Sequence, residues 1–321
     1  MNRGLMCNGK TKINIIMIFQ KFFYPLRGHV FFVLLVCFFV GANSAYSANA
    51  QYSSRLWKIE SRADKKIAPS YLFGTMHLAD KQIVNLPPHI QQVVYSADTL
   101  AIEVKLDAES QRALSTLTAL QGDETLSDLI GNTQFKRVAQ LLEAKGVSEY
   151  SLQRLKPWAA ALILNYPPAS LDPVLDYSLQ LKFSQQNKPV YQLETAQEQI
   201  EIFDHLSLGD QISFLEYSLK QQDHFDFYLQ KMKQLYLDDD LEGLQALALE
   251  QMEDINQPFM LQLFSNLIEK RNIKMVNRMQ FHLKAGNSLI AVGALHLTGP
   301  KGLINLLRYK GYKVTPVLGI E

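Results

Sequence analysis

Leu289-Ile290-Ala291-Val292-Gly293-Ala294-Leu295-His296-Leu297-Thr298-Gly299-Pro300 is the stretch that decides the fold. A short apolar run bounded by glycine reads as a buried strand, here Leu289 to Ala294. Thr298-Gly299-Pro300 is expected to open a helix running through Tyr309, with Pro300 near the first position, where its missing N–H is no loss. Gly311 is expected to close that helix as a left-handed cap. Lys313-Val314-Thr315-Pro316-Val317-Leu318 reads as a final strand. Pro316 cannot donate to a ladder, which places this strand at a sheet edge. Strand, helix and strand of this length imply a parallel βαβ unit.

The same pattern occurs near the other end of the chain. Gly74-Thr75-Met76-His77-Leu78 follows the apolar run Tyr71-Leu72-Phe73, as Gly293-Ala294-Leu295-His296-Leu297 follows Leu289 to Val292. In open parallel sheets, ligands bind beyond the carboxyl ends of strands, and both histidines fall there. A single G-x-x-H motif reads first as a core histidine satisfied by hydrogen bonds. Two copies in the same context favour a shared site, either a metal centre or an acid/base pair.

Three charged residues fit poorly where the pattern puts them. Glu103 lies in the β-rich run Leu100-Ala101-Ile102-Glu103-Val104, where a buried carboxylate needs a cation, a metal or donors. Glu194 ends the strand-like run from Pro189 to Thr195. Thr195 behind it is suited to cap a helix, with Glu198 in the capping-box position. Arg271 interrupts the stripe Leu263, Leu267, Met275, flanked by Phe264 and Ile268. A buried arginine there must find a carboxylate or an anion, and one at the stripe's edge would snorkel to water. His89, His205, His224 and His282 fall in amphipathic helices or turns and are expected to be solvated.

Residues 1–50 read as a secretory signal peptide. Arg3, Lys10, Lys12, Lys21 and Arg27 precede the apolar run Val30 to Val40, and Ala48-Asn49-Ala50 offers a cleavage site, with cleavage expected after Ala50. The basic segment is longer than usual, which suits translation beginning at Met6 or Met17; an uncleaved anchor is the alternative, and the apolar run is short for a transmembrane span. Cleavage would take the Lys and Arg count from 32 down by five to 27, against 31 Asp and Glu. The expected location is therefore periplasmic or secreted. The mildly acidic remainder is not suited to nucleic acid. Both cysteines, Cys7 and Cys37, lie in the removed part, so no disulfide is expected.

The remaining residues 51–321 show no long linker and read as one domain. Leu56 to Ile59 and Ser70 to Phe73 are expected strands around a polar turn, and Pro87-Pro88 opens a helix toward Ser96. From about 108 to 286 the three- and four-residue spacing of apolar positions predicts amphipathic helix, broken by the single strand near Val190. The expected fold is α/β: a mixed or mostly parallel sheet formed by both chain ends, with a large central helical section. Walker, dinucleotide, H-E-x-x-H, G-x-S-x-G and Ser-x-x-Lys patterns are absent.

Taken together these residues resemble the TraB/PrgY/GumN family. The blocks that carry the resemblance are Leu72 to His77, Ala101 to Val104, Gln192 to Thr195, Glu269-Lys270-Arg271-Asn272 and Val292 to Leu303, with the tail Leu307 to Val314. The pattern departs at Met275, where relatives carry tryptophan or another residue. That family is similar to the TIKI proteins, metal-dependent proteases that act on secreted signalling proteins, and to the haem-binding ChaN-like fold. The resemblance implies His77, His296 and Glu103 as metal or catalytic residues, with Arg271 in support.

The expected function is that of an exported metal-dependent hydrolase, a peptidase acting on a peptide or protein. His77, His296 and Glu103 would be ligands to a divalent ion such as zinc, manganese or cobalt. Glu194 or Glu103 would be the general base, and Arg271 would steady an oxyanion. The alternative is a non-catalytic protein that sequesters a peptide, haem or metal through the same histidines. A purely structural role of both histidines in the sheet is the third reading.

Overall fold

A computed structural model describes residues 52–168, 170, 172–253 and 258–319, so the expected signal segment and its cleavage site lie outside the described residues. Among the described residues no helix is long and apolar enough to cross a membrane. The strands are β1 (Leu56–Ser61), β2 (Ser70–Thr75), β3 (Thr99–Ile102), β4 (Val190–Gln192), β5 (Ser288–Gly293) and β6 (Tyr312–Pro316), in the sheet order β4-β3-β5-β2-β1-β6. Both ends of the chain therefore build one mixed sheet, and the middle contributes only the edge strand β4.

The four strands β4, β3, β5 and β2 are parallel to one another. β1 and β2 form the expected hairpin, with Leu56 opposite Phe73 and Lys58 opposite Tyr71. β6 pairs antiparallel with the far side of β1, Trp57 facing Pro316. Two antiparallel steps leave β6 parallel to β5, although β2 and β1 lie between them. The predicted parallel crossover thus spans two strands, and Pro316 sits on an edge strand as its missing donor requires. The β5 residues Leu289 to Val292 are all buried, as a central strand covered on both faces must be.

Three of the boundaries that differ from expectation bear on the site, each for a local reason. The helix after β5 begins at Leu303, not at Pro300. Ala294–His296 first forms a short 3-10 turn, and Gly299 takes a φ of +85°. A Cβ on Gly302 would stand 2.1 Å from the Thr298 carbonyl oxygen, so this tight loop must close before the helix starts. β3 ends at Ile102, one residue before Glu103. β4 stops at Gln192 because Leu193 turns inward to donate its backbone N–H to the Ile102 carbonyl at 2.8 Å, and Glu194 donates to the Glu103 carbonyl at 2.8 Å.

Thr195 then caps the helix Ala196–Asp204, with the full capping box to Glu198. The rest of the middle is helical, interrupted by a π-turn at Ser265–Lys270 directly before Arg271. Among the described residues two large apolar clusters result, with a small third one around Val104 and Ala196. One surrounds the sheet and includes Trp57, Phe73, Phe183, Tyr236, Met275 and Ile290. The other is purely helical and includes Phe135, Trp158, Phe203, Phe214 and Leu267. Leu295, beside His296, packs against both.

His282 departs from the reading of a solvated residue. It is buried where the helix Gln280–Ala285 lies against β4, its ring 4.8 Å from that of Tyr191, and burial pushes its pKa below the usual histidine value. His205 and His224 are exposed and His89 is half-buried.

Candidate functional site

The carboxyl ends of β2, β3 and β5 deliver His77, Glu103 and His296 to the wall of one cavity of about 50 Å³. Thr75, Gly293 and Leu295 share that wall. Each copy of the G-x-x-H pattern places its glycine at a close approach. A Cβ on Gly74 would stand 3.1 Å from the Ala294 Cα, and one on Gly293 would stand 3.3 Å from Glu103 Oε1. Each copy presents its histidine three residues later.

The two histidines are held by different partners. His77 Nδ1 lies 2.8 Å from Asp176 Oδ2, and Thr75 Oγ1 donates to Asp176 Oδ1 at 2.9 Å. Asp176 is buried in the first turn of the helix Leu175–Gln185. Tyr166 OH donates to the His77 carbonyl oxygen at 3.0 Å. His296 Nδ1 lies 2.7 Å from Asn272 Oδ1, while Asn272 Nδ2 donates to the carbonyls of His296 and Lys301. With the amide nitrogen so committed, Oδ1 is the acceptor and His296 Nδ1 carries the proton. His296 Nε2 is then a bare lone pair. It faces Glu103 Oε1 at 3.7 Å.

Glu103 is buried and fully engaged. Oε1 accepts from the Gly293 backbone N–H at 2.6 Å, and Oε2 accepts from Arg271 Nη2 and, at 3.2 Å, from Gln199 Nε2. Arg271 is shared with Glu194. Its Nε donates to Glu194 Oε2 at 2.8 Å and its Nη2 lies 2.7 Å from the same oxygen. Its Nη1 donates to the Leu267 carbonyl at 3.0 Å, within the π-turn. Gln199 also donates to Glu194 at 3.3 Å. One guanidinium thus joins two buried carboxylates, Glu103 at the cavity wall and Glu194 behind it; Arg271 and Glu194 are each 2 % exposed. The π-turn has a purpose here: the consecutive residues Arg271 and Asn272 both point inward, one to Glu103 and one to His296.

The electrostatics separate the two imidazoles. Burial alone would keep His77 neutral, but the Asp176 carboxylate, helped by Glu103, lifts its pKa to about 9. Burial holds His296 down to about 3 against the pull of Glu103, with Arg271 and His77 adding to the depression. Burial opposes the charge on Glu103, yet the Arg271 guanidinium holds its carboxyl well below the usual carboxylate range. At neutral pH the site therefore pairs a charged His77 with Asp176 and sets a neutral His296 against an ionised Glu103.

The chain brings all five residues singled out from sequence into one cluster, in two layers. His77, Glu103 and His296 line the cavity; Glu194 and Arg271 stand behind Glu103 and are absent from the lining. The sequence reading did not single out Asp176, Asn272, Gln199 or Thr75. Asn272 was signalled by its place in Glu269-Lys270-Arg271-Asn272. Asp176 carries no such signal, because an acidic residue in a helix first turn ordinarily serves the helix dipole.

A divalent ion fits the donors in part. Each imidazole is oriented through Nδ1 by a buried polar partner, the arrangement that aims Nε2 at a metal. Ligand distances of about 2.1 Å let two donors on one ion stand up to about 4.2 Å apart, and His296 Nε2 and Glu103 Oε1 fall within that reach. Among the described residues no three carboxylate, imidazole or thiol groups already converge as a metal cluster.

Fold and site define a mixed α/β protein with a buried His/Glu/Arg cluster beyond the carboxyl ends of its parallel strands. The chain belongs to the TraB/PrgY/gumN family, whose sequence pattern matches residues 55–316. It is 27 % identical over 247 residues to the uncharacterized protein YbaP of Shigella flexneri, covering 74 % of this chain and 88 % of that protein. Identity to YbaP of Escherichia coli (strain K12) is also 27 %, over 246 residues, covering 74 % of this chain and 87 % of that protein. It is 25 % identical over 342 residues to a protein of Amphimedon queenslandica named metalloprotease TIKI homolog. That match covers 88 % of this chain and 65 % of the longer relative.

Proposed function

We propose that this chain is an exported, metal-dependent hydrolase that cleaves peptide bonds. One observation carries the reading. His296 Nε2 and Glu103 Oε1 present two acceptors to each other across 3.7 Å, in a buried site with a cavity beside them. Two facing lone pairs in low dielectric call for a positive centre between them. The distant likeness to a metalloprotease TIKI homolog makes a metal the favoured centre. Export rests on the signal-like segment at 1–50.

His296, Glu103 and, once deprotonated, His77 would hold the ion. When bound, a divalent metal would supply a polarised carbonyl and a water acidic enough to react near neutral pH. The chain's own residues prepare the site. Asn272 fixes the His296 tautomer, and Asp176 fixes the His77 ring. Arg271 keeps Glu103 ionised, and Glu194 balances the guanidinium from the far side. Glu194 and Arg271 act in this reading as positioning groups, because neither lines the cavity.

The test is to incubate the purified protein with a peptide library and zinc, manganese or cobalt in turn. Cleavage should appear with at least one metal, stop with chelator, and be absent from His77→Ala and His296→Ala. Cleavage that persists in the double variant sinks the proposal. Stoichiometric binding of metal or haem without cleavage would instead identify a sequestering protein.

A further inference from the structure

The cavity has two unlike walls. Its polar side comes from the strand ends and contains Thr75, His77, Glu103 and His296. Facing it are Met232, Leu244, Ala248, Phe264, Leu267 and Ile268, from the helices between residues 225 and 270. Every described lining residue from those helices is apolar. Met232 and Leu244 belong to the sheet core, whereas Leu267 and Ile268 belong to the helical core. The cavity is therefore the gap left where two separately packed cores meet beside the reactive cluster.

The hydrolase reading uses only the polar wall. We infer that the apolar wall is a specificity subsite that receives an apolar side chain of the substrate next to the reacting bond. This inference rests on the hydrolase reading for its substrate but not for its binding. A charged side chain placed there would lose its water and meet no counter-charge on that wall. An apolar one would bury surface against a preformed lining that water solvates poorly. By the same measure a single water needs roughly 10–15 Å³. About 50 Å³ therefore suits one side chain of moderate size.

Two features refine the preference. Met76 and Met232 both line the space, and their flexible thioethers adapt to differently shaped apolar groups. The subsite therefore selects apolarity more than shape. Ala248 is the smallest side chain on the helical wall, and a larger residue there would fill the space.

The test uses protein labelled with ¹³C at the methionine methyl groups and kept free of metal, so that no turnover is required. The probes are N-acetyl amides of norleucine, leucine, phenylalanine, lysine and glutamate. The Met76 and Met232 methyl signals should shift with the three apolar probes. Those probes should bind at least about tenfold more tightly than the lysine and glutamate amides, and Ala248→Phe should abolish the shifts. If Ala248→Phe does not fold, nuclear Overhauser contacts from the norleucine methyl to the Met76 and Met232 methyls of the unaltered protein decide the matter. Equal binding of charged probes, or no shift of either methyl, overturns the inference. A failure to cleave any peptide would sink the hydrolase reading while leaving these shifts in place. Cleavage without them would do the reverse.

Discussion

His296 and Glu103 meet at 3.7 Å with a lone pair on each side, because Asn272 Oδ1 accepts a hydrogen bond from His296 Nδ1–H and Arg271 keeps Glu103 ionised. Each half of that relationship is imposed by a buried neighbour, so each can be removed separately.

Removing the guanidinium should be the most damaging change to stability. Arg271→Leu leaves Glu103 and Glu194 buried together without a cation. Breaking a buried ion pair from one side costs roughly 3–5 kcal/mol, and two carboxylates are orphaned here. Denaturant unfolding should show a loss in or above that range. Arg271→Lys should recover only part of it, since an ammonium cannot reproduce the three directed N–H groups that reach Glu103, Glu194 and Leu267. A loss under 1 kcal/mol for Arg271→Leu would contradict the described network.

Asp176 should set the charge of His77. In metal-free protein, NMR titration should place the His77 pKa near 9, and Asp176→Asn should lower it markedly, since burial would then be opposed by Glu103 alone. The sign for stability follows. A folded pKa raised from 6.5 to about 9 contributes stability that is fully present below pH 6.5 and is lost as pH rises through 9. Asp176→Asn should therefore flatten the alkaline limb of the stability profile. An unchanged limb would show that the His77–Asp176 contact carries no such weight.

His296 and Glu103 predict the opposite limb. His296 is held down to about 3 and Glu103 well below the carboxylate range, so the unfolded chain binds more protons than the folded one in acid. Stability of the metal-free protein should fall from about pH 6.5 downward as unfolded His296 charges, and further below pH 4.5 as unfolded Glu103 protonates. His296→Gln should remove the upper part of that decline. A profile flat between pH 6.5 and 4 would rule out a buried neutral His296.

Thr195 supplies a control at the edge of the same cluster. Its side chain and Glu198 form a reciprocal cap, and Glu198 is further held by Arg278 at 2.7 Å. Thr195→Ala should destabilise the fold by about 1 kcal/mol. The neighbouring Glu194 contact to Arg271 should survive, so the large stability loss expected of Arg271→Leu should be absent.

Much of this architecture was legible in the chain because its signals are local. The apolar runs before Gly74 and Gly293, the lone strand near Val190 and the Thr195 cap each announce themselves within a few residues. Arg271 in an apolar stripe was open between burial and an edge position, and Glu103 in a strand needed a partner if buried; the structure buries both and makes each the other's partner. What escaped was non-local or depended on backbone geometry. Asp176 becomes a histidine partner only because the helix Leu175–Gln185 packs over β3 and β4 and brings it to the end of β2, about a hundred residues away in sequence. The π-turn before Arg271 has no sequence signature that separates it from ordinary helix. The loop that delays the final helix to Leu303 is set by the clash a side chain at Gly302 would cause, which spacing alone does not reveal.

The most direct test of the central claim is calorimetric titration of zinc, manganese and cobalt into chelator-treated protein, backed by elemental analysis of the washed complex. One divalent ion should bind per chain of the unaltered protein, and both His296→Ala and Glu103→Gln should lose it while retaining the fold. No stoichiometric binding of any of the three metals, or binding that survives both substitutions, would contradict the claim.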